Sequence, residues 1–222
     1  MAAGLFVTGT GTEVGKTVVA AVFARTLAGE GRRVAVFKPA VTGLDEGVET
    51  DHELLRRASG SEQSDEQIAP YRYGPPASPH LAAALAGEEI DPRRLREAAA
   101  AAVAGADAIV CEGVGGLLVP LSPGYLVRDL ATDLGYPLVV VAGPGLGTIN
   151  HTLLTIEAAR AAGLEVAAVV LTPWPAEPSE IEHSNHETIA ALAGVEVLTL
   201  PEIDLADPQA WPPLLTGRFP SI

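Results

Sequence analysis

The sequence is poor in several things at once. It has one cysteine, Cys111, one methionine and only 5% aromatic residues. A lone cysteine excludes an intrachain disulfide and suits a reducing compartment. No apolar run reaches the roughly 18 residues that cross a bilayer. The N-terminus lacks the basic stretch and long apolar core of a secretory signal, so the expected location is the cytoplasm. Positive charge is scarce too: 14 Lys and Arg stand against 28 Asp and Glu, a net charge of −14. Neither phosphate-backbone neutralisation nor polybasic attraction is available at that balance, which excludes nucleic acid and anionic membrane as expected partners. Any phosphate bound here needs a small, local concentration of positive potential. The scarcest charged residue is lysine. Lys16 and Lys38 are the only two in a chain with twelve arginines, and a compact ammonium on a flexible stem does what a guanidinium does not.

What is present is apolar and aliphatic. Hydrophobic residues make up 48% of the 222 positions, a globular composition sufficient for one domain spanning residues 1–222. Short apolar runs predict buried strands at 5–8, 34–37, 108–111, 138–142, 166–171 and 195–200. Helical periodicity predicts helices at 16–30, 127–134, 148–162 and 180–192, with another starting at Pro92 behind an Asp91 cap. Continuous apolar strands alternating with helices indicate an α/β fold, a parallel sheet with helices on both faces. The Pro-rich stretch 59–79 reads as a long surface excursion, and the tail from Pro208 is weakly patterned. Ligands of such sheets lie beyond the carboxyl ends of the strands. The residues there are Gly9, Lys38, Glu112, Gly143, Thr172 and Pro201.

Gly9-Thr-Gly-Thr-Glu-Val-Gly-Lys-Thr17 is a glycine-rich turn between a strand and a helix. Such a turn aims backbone N–H groups at an anion, and the helix N-terminus adds its dipole. Gly11, Thr12, Glu13, Val14 and Gly15 would cradle nucleotide phosphates, Lys16 would reach the β- and γ-phosphates, and the Thr17 hydroxyl would bind Mg²⁺. Five residues separate Gly9 from Gly15 and three separate Gly11 from Gly15, whereas the strict P-loop pattern has four. The expected fold is therefore a single-domain P-loop NTPase-like one. Ala108-Ile-Val-Cys-Glu-Gly-Val-Gly-Gly116 delivers a carboxylate, Glu112, from a buried strand into a second glycine-rich loop, as a magnesium ligand requires. Cys111 should face the opposite side as a core thiol. Lys38-Pro-Ala-Val-Thr-Gly43 ends a strand expected beside the first, so Lys38 would face the γ-phosphate opposite Lys16 as a transition-state clamp. Asp51 begins a short helix and either completes the magnesium shell or serves as an N-cap.

The runs TGTGTEVGKT, KPAVTG, TD, SPHLAA, CEGVGG and GLGTINHTLLT, in this order, resemble the dethiobiotin synthetases in register across most of residues 5–160. The resemblance implies an ATP-dependent carboxylation. 7,8-Diaminononanoate takes up CO₂ as a carbamate, the carbamate attacks the γ-phosphate, and the second amine closes the ureido ring. It further implies that Thr17, Asp51 and Glu112 hold magnesium, and that Lys16 and Lys38 stabilise phosphoryl transfer, Lys38 also near the carbamate. Thr12 and Thr42 would line the diamine side. Gly147, Thr148 and Asn150 would hold the substrate carboxylate from the partner subunit of a homodimer, an anion site that the helix dipole independently favours. Pro201 and Glu202 would contact the base or ribose. One departure stands out: many members carry an Asn that reads adenine where this chain has Thr172, which implies a looser choice of base.

A nucleotide-driven switch of the partitioning type is the competing class. Such proteins carry an extra lysine at the place of Gly11, and some end in a basic amphipathic helix; the sequence shows neither. A nucleotide kinase would gather arginines on a lid, whereas Arg93, Arg94 and Arg96 fall at an exposed helix start. His183 and His186, three apart in a helix, read as a solvated face rather than a metal pair. His52, His80 and His151 carry no role in this reading.

Overall fold

The computed structural model describes residues 3–46 and 49–214. In chain order the elements are β1 (Ala3–Gly9), α1 (Lys16–Gly29), β2 (Val34–Phe37), β3 (Ala40–Val41), α2 (Asp51–Ser59), α3 (Asp65–Ile68), β4 (Tyr71–Arg72), α4 (Pro79–Leu85) and α5 (Pro92–Ala102). There follow β5 (Ala108–Gly116), β6 (Pro120–Ser122), β7 (Tyr125–Leu126), α6 (Val127–Leu134), β8 (Leu138–Ala142), α7 (Thr148–Ala161), β9 (Val166–Trp174), α8 (Glu180–Ala193) and β10 (Glu196–Pro201). Six strands form the central sheet in the order β10-β9-β8-β1-β5-β2, with every neighbouring pair parallel. Helices cover both faces, the expected P-loop NTPase-like α/β architecture.

The pleat of the strands sorts their side chains between two cores. Phe6, Phe37, Ile109 and Cys111 pack on one face with residues of α5, α6, α7 and α8. Leu5, Val7, Val36 and Val110 pack on the other with α1, α2, Trp211 and Leu214. This alternation decides where the chemistry goes. Continued one residue past Val36 and Phe37, and past Val110 and Cys111, it aims Lys38 and Glu112 at the face carrying α1 and α2. Cys111 is fully buried on the opposite face, and burial pushes its thiol well above the ordinary range.

Three expectations are corrected. β2 does not lie beside β1: β5 sits between them, pairing with β1 through Val7↔Glu112 and with β2 through Phe37↔Cys111. The apolar run 108–111 is buried on both faces and both edges, so it takes the inner place. Residues 59–79 are not a surface excursion. Ile68, Ala69, Tyr71 and Tyr73 are buried there, β4 pairs with β3, and the Ile68 carbonyl accepts the Lys38 N–H at 2.8 Å. The tail is docked as far as it is described. Trp211 is buried and its indole N–H donates to the Asp204 carbonyl at 2.7 Å, while the Leu214 N–H reaches Thr26 Oγ1 at 3.1 Å. The rest of that tail, residues 215–222, lies outside the described residues.

β2 is one of the two outer strands of the sheet, β10 being the other. The Gln63 amide lies along it, its Oε1 accepting the Val36 N–H at 2.9 Å and its Nε2 donating to the Val36 carbonyl at 3.1 Å. His183 and His186 stand around Trp174, ring centroids 6.1 and 5.8 Å away, and His186 Nε2 is 3.2 Å from the Val197 carbonyl. No group of three or more His, Cys, Asp or Glu side chains arranged to hold a metal ion occurs among the described residues.

Candidate active site

The loop between β1 and α1 is built on glycine. A Cβ at Gly9 would stand 2.7 Å from Val14 Cγ2 and 2.9 Å from Lys16 Cδ, so the loop closes tightly only because that carbon is absent. Gly15 is the N-cap of α1 with φ 87°, a left-handed conformation that side chains resist. Glu13 also has a positive φ, 60°, without being glycine. The Thr10 N–H donates to the Val141 carbonyl at 2.9 Å and anchors the loop to β8. Thr172, at the far end of β9, rests against its other end: a Cβ at Gly15 would meet Thr172 Cγ2 at 2.8 Å. No atom stands within 4 Å of a Cβ built at Gly11.

At the C-terminal end of the sheet the predicted residues converge. Lys16 Nζ donates to the Gly11 carbonyl at 2.8 Å. Its neighbour Thr17 has its hydroxyl oxygen 3.0 Å from Asp51 Oδ1 and 2.9 Å from Glu112 Oε1. Lys38 Nζ reaches the same two carboxylates, 2.5 Å from Asp51 Oδ2 and 2.6 Å from Glu112 Oε1. Asp51 is free to do this because it is not the N-cap. Thr50 caps α2, and Glu53 Oε2 accepts from the Thr50 N–H at 2.8 Å and its hydroxyl at 2.7 Å.

Burial sets the protonation states. Lys16, Lys38 and Glu112 are all buried, Glu112 completely. Burial holds Lys16 below the ordinary lysine range, resisted by Glu112 and deepened by Lys38. Burial also pulls Lys38 down, but Glu112 and Asp51 outweigh it and keep the ammonium above its usual range. Asp51 is pushed up by burial and carried below its usual range by Lys38, Thr17 and Lys16. Glu112 goes the other way: desolvation wins over Lys38 and raises it.

The cluster has more acceptors than protons. The single Thr17 proton serves only one of its two carboxylate neighbours at a time, and Glu112 Oε2 is buried with no hydrogen-bond partner. An unpaired buried carboxylate oxygen is costly. A hydroxyl and two carboxylates around such a point are the hard oxygen donors that suit a small divalent cation. Thr17, Asp51 and Glu112 are therefore the residues that can hold one.

A cavity of about 440 Å³ opens beside the glycine loop. Gly9–Thr12 form one wall, Gly116–Val119 another, and His151, Leu154, Thr155 and Ala158 of α7 the third. Sequence reasoning singled out Thr12 here but not the α7 wall. The signal was the spacing 151, 154, 155 and 158, one face of a helix. Gly147, Thr148 and Asn150 do not line this cavity. Gly147 is the N-cap of α7 with φ 91°. Thr148 is buried, its hydroxyl 3.5 Å from that of Thr152, and Asn150 is exposed. Thr42 follows β3 half-buried. Pro201 pairs with Trp174 at the β10 edge, and Glu202 is exposed.

Comparison with known proteins accords with this arrangement. The chain matches the family described as an AAA domain over residues 3–210. It is 46% identical over 197 residues to ATP-dependent dethiobiotin synthetase BioD of Anaeromyxobacter dehalogenans, covering 89% of this chain and 88% of that protein. The protein of the same name from Rhodococcus erythropolis is 41% identical over 199 residues, covering 87% and 86%. That from Bacillus subtilis is 37% identical over 203 residues, covering 88% and 85%. With a glycine loop, two lysines and two carboxylates meeting at one sheet end, and relatives this similar over nearly their whole length, the chain belongs to the dethiobiotin synthetase family.

Proposed function

We propose that this chain, residues 1–222 acting as one domain, uses ATP and CO₂ to convert 7,8-diaminononanoate to dethiobiotin, a ligase step of biotin biosynthesis. The observation that carries the reading is the convergence of Lys16, Lys38, Thr17, Asp51 and Glu112 on one point at the carboxyl end of the sheet.

Gly11, Thr12, Glu13, Val14 and Gly15 present the loop backbone to the nucleotide phosphates, and the start of α1 adds its dipole. Lys16 leaves the Gly11 carbonyl for the β- and γ-phosphates. Lys38 remains charged beside Glu112 and places its ammonium where negative charge builds as phosphoryl transfer proceeds. The same ammonium draws in the substrate carbamate, with Thr12 and Thr42 beside it. Thr17, Asp51 and Glu112 would hold magnesium, whose charge, when bound, offsets that of the phosphate oxygens. The orphaned Glu112 Oε2 supports that fit. Thr172 stands where the base approaches the end of the loop, with Pro201 and Glu202 along the neighbouring edge.

A second copy of the chain completes the site. Leu118, Leu146 and Leu154 are 52%, 96% and 56% exposed, an apolar face along the cavity rim and the start of α7 that a partner would cover. Across it, Gly147, Thr148 and Asn150 would reach the substrate carboxylate of the partner. No helix is long and apolar enough to cross a membrane among the described residues, and the acidic balance fits small-molecule substrates in the cytoplasm rather than nucleic acid.

The test is to supply ATP, magnesium, bicarbonate and the diamine, and to measure ADP and dethiobiotin together. Coupled formation of both, absent without the diamine, is expected. Hydrolysis indifferent to the diamine would replace the synthetase with a nucleotide-driven switch.

A further inference from the structure

Carbamate formation releases a proton that a group beside the reacting amine must take up. A neutral amine that attacks CO₂ forms R–NH₂⁺–COO⁻, which must lose one proton from nitrogen to become the carbamate R–NH–COO⁻. Lys38 Nζ is engaged with Asp51 Oδ2 at 2.5 Å and Glu112 Oε1 at 2.6 Å, and the residue does not line the cavity beside the glycine loop. Asp51 and Glu112 Oε1 are engaged by Lys38 and Thr17, Glu112 Oε2 belongs to the cation site, and neither residue lines the cavity. The cavity beside the glycine loop answers the need. Its walls are glycine, threonine, leucine, valine and alanine apart from one residue, His151. No charged side chain from the glycine loop, from the segment after β5 or from α7 lines it. The nearest charged residues along the loop are Glu13 and Lys16, and Lys16 donates to the Gly11 carbonyl. The His151 backbone carbonyl accepts from Thr155 at 2.8 Å, and the ring reaches the cavity one residue beyond the exposed Asn150. Consecutive helical positions diverge by about 100°, and of the two only His151 lines the cavity, its ring also lying 3.7 Å from where a Cβ on Gly147 would stand.

We propose that His151 is the proton acceptor for carbamate formation, touching the diamine nitrogen that takes up CO₂. Imidazole is the side chain that takes and releases a proton near neutral pH. The N–C bond forms from the amine lone pair, the C=O π pair moves to oxygen, and the N–H proton passes to the free ring nitrogen of His151. The resulting imidazolium returns its proton to solvent after product leaves, before the next turnover. This assignment rests on the synthetase reading above.

The experiment compares the intact protein with His151→Gln, following dethiobiotin formation from pH 6 to 9 at fixed dissolved CO₂. Nucleotide-analogue affinity and the unfolding midpoint should stay unchanged, since the exposed ring holds nothing in place. At pH 7 the variant should lose about 100-fold in kcat/KM for the diamine, the usual contribution of general base catalysis. The shape of the pH profile should differ between the two proteins, because the variant has lost a proton-accepting group. His151→Ala should regain activity with added imidazole. A variant with wild-type rate, or one slowed equally at every pH and deaf to imidazole, overturns the role. Wild-type protein that makes no dethiobiotin would instead overturn the synthetase reading, so the two failures are distinguishable.

Discussion

Lys38 is the residue on which stability and catalysis meet, and replacing it by methionine separates them. Methionine keeps the length and apolar stem but removes the charge between Asp51 and Glu112. Glu112 then keeps only the Thr17 hydroxyl on Oε1 and nothing on Oε2, at a site with no solvent exposure. Breaking one side of a buried ion pair costs about 3–5 kcal/mol. Against a total of roughly 5–15 kcal/mol for a domain, the variant stays folded. For a domain of this size that cost lowers the melting temperature by about 10 °C. Adding Glu112→Gln removes the stranded charge, and the pair of substitutions should regain at least about 2 kcal/mol, because removing both partners is far milder than removing one. Both variants should lack turnover. The measurement is urea unfolding with chelator present and nucleotide absent. The pH dependence gives a second check. Desolvation already holds Glu112 above its unfolded value, so the folded state of Lys38→Met binds a proton that the unfolded state releases. Its stability should therefore rise on acidification towards the ordinary carboxylate range. Additive costs in the double variant, or full turnover in Lys38→Met, would refute the reasoning.

Other substitutions probe the rest of the site and frame. Gly15→Ala forces a side chain into φ 87° and against Thr172; nucleotide affinity measured by calorimetry should fall at least about 10-fold, and Thr172→Ser alongside should not restore it, because the backbone strain remains. Thr172→Asn should raise the ratio of kcat/KM for ATP over the other nucleoside triphosphates about 10-fold, the worth of one good polar contact, read in a four-nucleotide competition. Asp107 is held at about 2 by hydrogen bonds from the Arg33 side chain and backbone. Its folded value is depressed, so the stability it lends is present above the unfolded value of about 3.9 and fades as pH falls towards 2. Asp107→Asn should therefore melt below wild type at pH 7, with the gap closing as pH falls through that window.

The sequence was most legible where one physical signal dominated. The runs at 34–37 and 138–142 are flanked by turn residues and buried on both faces, and their predicted bounds coincide with β2 and β8. Lys16, Thr17, Lys38, Asp51 and Glu112 were all readable as residues at strand ends or helix starts, and one cluster contains them. Strand order was not readable. An apolar run reports burial, not neighbours, so the intrusion of β5 between β1 and β2 had no local signature. Residues 59–79 misled because α3 and β4 span four and two residues, too short for any period to register among the prolines. Their burial comes from Ile68 and two tyrosines meeting distant partners. His151 carried no role at the sequence level for a related reason: a lone histidine in a helix says nothing until a cavity is seen in front of it.

The Gln63 amide has a bearing on how the protein behaves in a crowded solution. An outermost strand with vacant rungs invites a strand from another molecule to zip onto it, the first event in many insoluble deposits. Here the middle rung is already occupied by a side chain imitating a peptide group, and Ser61 steadies that side chain with a hydroxyl 2.9 Å away. Only four residues long, with its centre taken, the margin offers an intruder almost nothing to hold. That edge is thus guarded by a single carboxamide, in a chain whose surplus of acidic side chains adds repulsion between copies.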